Sequence, residues 1–146
     1  MNAHQLVIPG FTLLNALAAV LIAFVFISLM STVSEPGRQK LNAILIAGAG
    51  SVYWNGGLGI WEYVFGAVML ALAYKGLKSY YFIGIGWLLH SAWDILHHLS
   101  GQPIIIFAPN SSAGCAVCDP ILALWFFMGA PTILNFKRIW LKNRKP

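Results

Sequence analysis

All nine lysines and arginines of this 146-residue chain fall into three short groups: Arg38 and Lys40; Lys75 and Lys78; and Lys137, Arg138, Lys142, Arg144 and Lys145. The stretches between them are apolar, which restricts the chain to folds whose surface meets something other than water. Charged residues make up 9% of the chain and hydrophobic residues 59%, with a mean hydropathy of +0.75. Soluble domains carry about 25% charged residues, so the solvent this composition implies is lipid. The net charge of +5, divided in this way, orients a membrane protein. It excludes a nucleic-acid binder, which needs a continuous basic face.

A membrane span needs about 20 mostly apolar residues. Five stretches qualify, at about 11–33, 41–54, 58–74, 80–99 and 119–136, which predicts an all-α membrane protein forming a single integral domain over 1–146. The first run is too long for a signal-peptide core and lacks a charged leader, so it reads as a retained anchor ending at Ser34-Glu35-Pro36-Gly37. The second is rich in small residues (Ala47, Gly48, Ala49, Gly50) suited to close helix contact, and Asn55-Gly56-Gly57 breaks it. A loop from Gly101 to Cys118 precedes the fifth, where Asp119 reads as the N-cap and Pro120 as the first helical residue. With five spans, all three basic groups fall on one side. The positive-inside rule then places the N-terminus outside and the C-terminus inside. Four or six spans would split the basic groups between the two faces. The compact size points to a bacterial plasma membrane.

Within the fourth span, the run His90–Leu99 (HSAWDILHHL) carries four ionisable residues: His90, Asp94, His97 and His98. An Asp at the centre of a span costs about 2.5–3.5 kcal/mol on insertion scales, and such residues mark functional sites by default. At 1.5 Å and 100° per residue, Asp94 lies about 6 Å beyond His90 and about 40° around the helix. His97 lies about 10 Å beyond at about −20°, and His98 sits at the margin of that face, at about 80°. On the expected topology Glu62, Cys115, Cys118, Asp119 and His4 all fall on the same outer side, whereas Glu35 lies inside beside the basic loop.

Metal binding is the reading that uses the most of these residues at once. Imidazoles three and four apart on one face can share an ion, and a carboxylate can ligate it or orient them. The expected ligands are His90, Asp94, His97, His98, Cys115 and Cys118, with zinc the first choice and copper or iron as alternatives. Glu62 is the candidate general base, and Asp94 orients a histidine or ligates. Blander readings exist for each residue: Asp94 as a polar lock between helices, His97 and His98 as headgroup-level residues, Glu62 as an interfacial carboxylate, Asp119 as a simple cap. The Cys115–Cys118 pair admits three readings: a disulfide clamp on an oxidising face, a redox pair activated at a helix N-terminus, or soft metal ligands.

The segment FIGIGWLLHSAWDILHHLSGQPIIIFAPNSSAGCAVCDPILALWFF, from Phe82 to Phe127, resembles an uncharacterised family of small multi-pass membrane proteins. In that family a His-x-x-Trp-Asp-x-x-His-His helix precedes a Pro-rich loop and a Cys-x-x-Cys-Asp-Pro motif. The stretch Gly57–Glu62 shares the likeness more loosely. The resemblance implies a shared site and names no chemistry. More distantly, the chain is similar to the seven-span ceramidase-like hydrolases, whose transmembrane His and Asp residues bind zinc. The sequence thus leads to an outward-facing metal site in the lipid bilayer, used either for hydrolysis of a lipid-soluble small molecule or for metal handling, in a chain that can oligomerise. A thiol–disulfide oxidoreductase built on Cys115 and Cys118, or a non-enzymatic bundle locked by its polar cluster, are the alternatives.

Overall fold

The computed structural model describes residues 10–54 and 57–133, and these form five helices with no strand among them. The helices are α1 (Leu13–Thr32), α2 (Gly37–Ala49), α3 (Ile60–Gly76), α4 (Tyr80–Leu99) and α5 (Ser111–Phe127). His4, the Asn55-Gly56 part of the expected break, the end of the fifth stretch at Phe136 and the basic tail lie outside the described residues.

α1 starts at a capping box. The Thr12 amide donates to Asn15 Oδ1 at 2.9 Å and the Asn15 amide donates back to Thr12 Oγ1, which satisfies two donors that helix starts leave open. Its buried residues, Ala19, Ala23, Ile27 and Ser31, recur every four positions and form a narrow stripe of mostly small side chains against α5. Leu13, Leu17, Leu21, Phe24, Val25 and Leu29 point away from the protein. Among the described residues α1 is the one helix both long and apolar enough to cross a membrane; α5 is apolar but shorter, at 17 residues.

α4 is the hub. It packs along α5 most extensively and also meets α3 and α2. Glycines permit the closest approaches: a Cβ on Gly86 would come within 2.9 Å of Ile46, and one on Gly84 within 2.6 Å of Phe127. α2 and α3 approach through Gly50 and Gly66, where added Cβ atoms would lie 2.4 Å from Met69 Cβ and 2.5 Å from Trp54 Nε1. The expected small-residue contact therefore holds at Gly50, whereas Gly48 faces open space.

Successive helices run in opposite directions, so the connections gather at two ends. At one end Arg38 donates to Glu35 (2.7 Å) and to Thr132 (2.8 Å), Tyr80 donates to Glu35 (2.6 Å), and Gln39 donates to the Gly76 carbonyl (2.9 Å). Burial opposes ionisation of Glu35, but the hydrogen bonds from Tyr80 and Arg38 outweigh it and lower its pKa below the usual carboxyl value. Lys40, Lys75 and Lys78 share this end. The other end, where α2 and α4 finish and α3 and α5 begin, has no Lys or Arg among its described residues.

The start of α5 corrects the sequence reading. The helix begins at Ser111, eight residues before Asp119, so Asp119 is not an N-cap and Pro120 lies inside the helix. Two compensations allow this. Ser111 and Ser112 accept the amides of Ile105 and Ile104 at 2.9 and 3.0 Å, which fastens the preceding loop onto the first helical turn. Pro120 has no N–H to offer the Ala116 carbonyl four residues back, and the Ser91 hydroxyl of α4 donates to that carbonyl instead, at 2.9 Å. The proline thus joins α5 to α4 and does not terminate it.

Gly48 of α2 and Gly50, the residue that caps its C-terminus, give a paired test. Gly50→Ala should cost about 1–3 kcal/mol, because Met69 Cβ cannot swing aside. Gly48→Ala should be neutral or stabilising by up to about 1 kcal/mol. Thermal melts of the two variants in detergent check the contrast; equal shifts would contradict the packing.

Candidate metal centre

The inward face of α4 is Ile83, Gly84, Gly86, His90, Ser91, Asp94 and His97: apolar and tight at one end, ionisable at the other. His90, Asp94 and His97 are 3%, 0% and 0% exposed, which places them on one buried face, as the 100° spacing predicts. His98 is half-buried at the margin, and its Nε2 has no hydrogen-bond partner.

The centre of the cluster is His90. Its Nδ1 lies 2.9 Å from Asp94 Oδ2 on the same helix and 2.8 Å from Asp119 Oδ2 on α5. Its Nε2 lies 3.1 Å from the carbonyl oxygen of Ala49 at the end of α2. A carbonyl only accepts, so Nε2 carries the proton and donates it. In the neutral ring, Nδ1 then presents a lone pair to two carboxylates. Three electron-rich atoms held this close in a buried pocket repel one another unless a proton, on Nδ1 or on one of the carboxylates, or a metal ion lies between them. His90, Asp94 and Asp119 are the group among the described residues whose ligand atoms converge closely enough to hold one ion.

Surrounding groups orient these three. Tyr53, in the turns after α2, is 4% exposed and its hydroxyl donates to Asp94 Oδ1 at 2.5 Å. Ser112 Oγ lies 2.8 Å from the same hydroxyl. With its single proton committed to Asp94, Tyr53 accepts from Ser112, which in turn accepts the Ile104 amide. A directional chain thus runs from the loop through Ser112 and Tyr53 to Asp94. An imidazole that donates its second N–H to a backbone carbonyl, beside a hydrogen-bonded carboxylate, is the arrangement metal-ligating residues commonly show.

The other expected ligands form separate groups. His97 Nε2 lies 3.0 Å from Glu62 Oε1, and both residues are fully buried. Glu62 also accepts from Trp93 Nε1 at 3.1 Å and from the Leu58 amide at 3.3 Å. Glu62 therefore holds His97, not the His90 centre. The two groups touch through Tyr53, whose ring stacks on His97 with centroids 3.6 Å apart. Cys115 and Cys118 are free thiols lining a cavity of about 480 Å³ between α1 and α5 and do not join the ion-holding group. They are the fifth and eighth residues of α5, so the dipole of a helix start does not act on them as the redox reading assumed.

Asp119, Tyr53 and the Ala49 carbonyl were not among the expected ligands. Asp119 was masked by the Asp-Pro pair, which reads as a helix start, and a backbone carbonyl leaves no mark in a sequence. Tyr53 falls near the end of the short second span, where nothing in the local sequence marks it as a partner of Asp94.

Tyr53→Phe keeps the ring on His97 and removes the donor to Asp94. The expected cost is about 1–3 kcal/mol of stability, measured by denaturation in detergent, because a buried acceptor loses its partner. An unchanged melt would show that Asp94 does not depend on that bond.

No curated protein and no solved structure matches the chain. The sequence profile of a family of unknown function, DUF6010, matches residues 14–132, and with most of its length inside that match the chain belongs to the DUF6010 family.

Proposed function

We propose that this chain is an integral membrane protein that holds a divalent transition-metal ion at His90, Asp94 and Asp119 and uses it in the hydrolysis of a lipid-soluble substrate. The observation that carries the reading is the Nδ1–Oδ2–Oδ2 triangle, with the His90 tautomer set by Ala49. Charge balance distinguishes the two cations that fit. A proton on His90 leaves the three groups with net charge −1, buried almost completely, whereas a divalent ion with neutral His90 leaves them neutral. One imidazole nitrogen and two carboxylate oxygens suit zinc first, with iron or copper as alternatives. Such an ion acts as a Lewis acid and makes water a better nucleophile near neutral pH. In the chain itself Asp119 and Asp94 tie α5 to α4, Tyr53 orients Asp94, and Glu62 positions His97. A cavity of about 620 Å³ bordered by Tyr53 and His97 lies across Tyr53 from the three ligands and offers room for a small-molecule substrate near the centre.

Support for the bilayer comes from where the apolar side chains point. Ile60, Trp61, Val64 and Leu70 of α3 face outward, as do Leu88, Leu89, Ile95 and Leu96 of α4, while α3 buries Glu62 and α4 buries His90, Asp94 and His97. This is the inverse of a water-soluble helix, which turns its apolar stripe to the core and its charged face to solvent. The reading has all five helices crossing, N-terminus out and C-terminus in, with Arg38, Lys40, Lys75 and Lys78 at the inner end; a bacterial plasma membrane suits it. α2, at 13 residues and about 20 Å, is short for the hydrocarbon core. Local thinning of the bilayer accommodates such a helix at modest cost.

A second reading, a non-enzymatic bundle in which protonated His90 locks α4 to α5, fits the same two distances. Metal analysis of the purified chain separates them. Near one equivalent of metal is expected, lost in His90→Ala and Asp119→Asn and kept in the Cys115→Ser, Cys118→Ser double variant. Folded protein free of metal after purification with added zinc would establish the lock. For the orientation, a phosphatase fused after Pro146, active only outside the cytoplasm, should be silent; an active fusion would reverse the topology.

A further inference from the structure

The cavity at the end without lysine or arginine among its described residues is bounded by Val52, Tyr53, His97, Gln102, Ile104 and Ile106. Its volume of about 620 Å³ lies in the range of sites for small organic ligands. Two features specify what it takes. The first is His97. Glu62 occupies the Nε2 side of the ring, so in the neutral ring that nitrogen carries the proton and Nδ1 is left as an acceptor; Nδ1 is buried and has no hydrogen-bond partner. An unpartnered buried acceptor is rare and points to a missing donor. The second is the rim. Ile106 is 92% exposed and its neighbour Phe107 90%, an apolar tip on the loop between α4 and α5, residues 100–110, which carries no charged residue. None of the residues bounding the cavity carries a fixed charge.

We propose that this cavity is a binding site for an amphiphile with an uncharged, hydroxyl-bearing headgroup, which enters from the adjoining lipid leaflet past Ile106. The hydroxyl donates to His97 Nδ1, directly or through one water molecule. Gln102, whose Oε1 accepts the Gly57 amide, has its amide NH₂ left to donate to the headgroup. The acyl chain lies along Val52, Ile104 and Ile106. A carboxylate headgroup would set its charge against the His97 lone pair, and an ammonium would find no carboxylate among the residues bounding the cavity, since Glu62 is taken up by His97, Trp93 and the Leu58 amide. Both are selected against. This site rests on the membrane reading above, but not on the metal.

Equilibrium binding of radiolabelled 1-oleoylglycerol to the full chain in phosphatidylcholine nanodiscs tests it, with oleate and oleylamine as competitors. Saturable binding near one per chain is expected, with competition by oleate or oleylamine at least tenfold weaker than by unlabelled 1-oleoylglycerol. Ile104→Trp, which fills the cavity while keeping the backbone amide bound to Ser112, should abolish binding. His97→Phe, which keeps the stack on Tyr53, should weaken it at least tenfold. Absence of saturable binding, equal binding by Ile104→Trp, or preference for oleate would overturn the proposal. Metal content measured on the same nanodiscs keeps the two readings apart, because Ile104→Trp should retain its metal. A chain that stays soluble without lipid or detergent would instead remove the membrane reading.

Discussion

One nitrogen atom organises this protein. His90 Nδ1 faces two carboxylate oxygens at 2.8 and 2.9 Å, and the Ala49 carbonyl on the far side of the ring commits the other nitrogen to donating. Each partner comes from a different part of the bundle: Ala49 from α2, Asp94 from α4 itself, and Asp119 from α5. With its cation in place the centre joins three helices. Without one it is a buried repulsion that α4–α5 packing would have to overcome. The proline inside α5 serves the same contact, since the carbonyl it frees is taken by Ser91 one residue after His90. Tyr53 extends the centre outward to the loop on one side and to the His97–Glu62 pair on the other.

The distribution of polarity follows from this centre. A helix that buries His90, Asp94 and His97 has little apolar surface left to bury at that end, and α4 turns Leu88, Leu89, Ile95, Leu96 and Leu99 outward. The helices therefore meet through glycine and alanine contacts such as Gly86 on Ile46 and Gly50 on Met69, where dispersion at close range supplies the packing. In the proposed bilayer the outward residues need no protein partner. The only ion pair at the opposite end, among the described residues, is Arg38 with Glu35, joined there by Tyr80 and Thr132.

Much of this was legible from the residues alone. The fourth apolar run coincides with α4 at both ends, Tyr80 and Leu99, because Gly101 and Pro103 mark its finish as plainly as Lys78 and Ser79 mark its start. The shared face of His90, Asp94 and His97 follows from helix geometry and holds. The fifth run was misplaced for a local reason. Asp119-Pro120 satisfies the rules for a helix start, and only the tertiary bond from Ser91 reveals that the helix tolerates the proline. The same Asp-Pro pair shifts the expected loop boundary, gives Asp119 the look of a cap and sets the two cysteines at a helix start they do not occupy. Pairings such as His97 with Glu62 and Tyr53 with Asp94 span 35 and 41 residues, beyond the reach of any local pattern.

The central claim is that a metal ion sits among His90, Asp94 and Asp119. X-ray absorption spectroscopy of the zinc-loaded protein reads the donor atoms directly. The account predicts a first shell of nitrogen and oxygen only, at about 2.0–2.2 Å, with the outer-shell signature of a single imidazole. A sulfur shell near about 2.3 Å would move the ion to Cys115 and Cys118, and two or more imidazoles would move it toward His97 and His98; either result would contradict the site described.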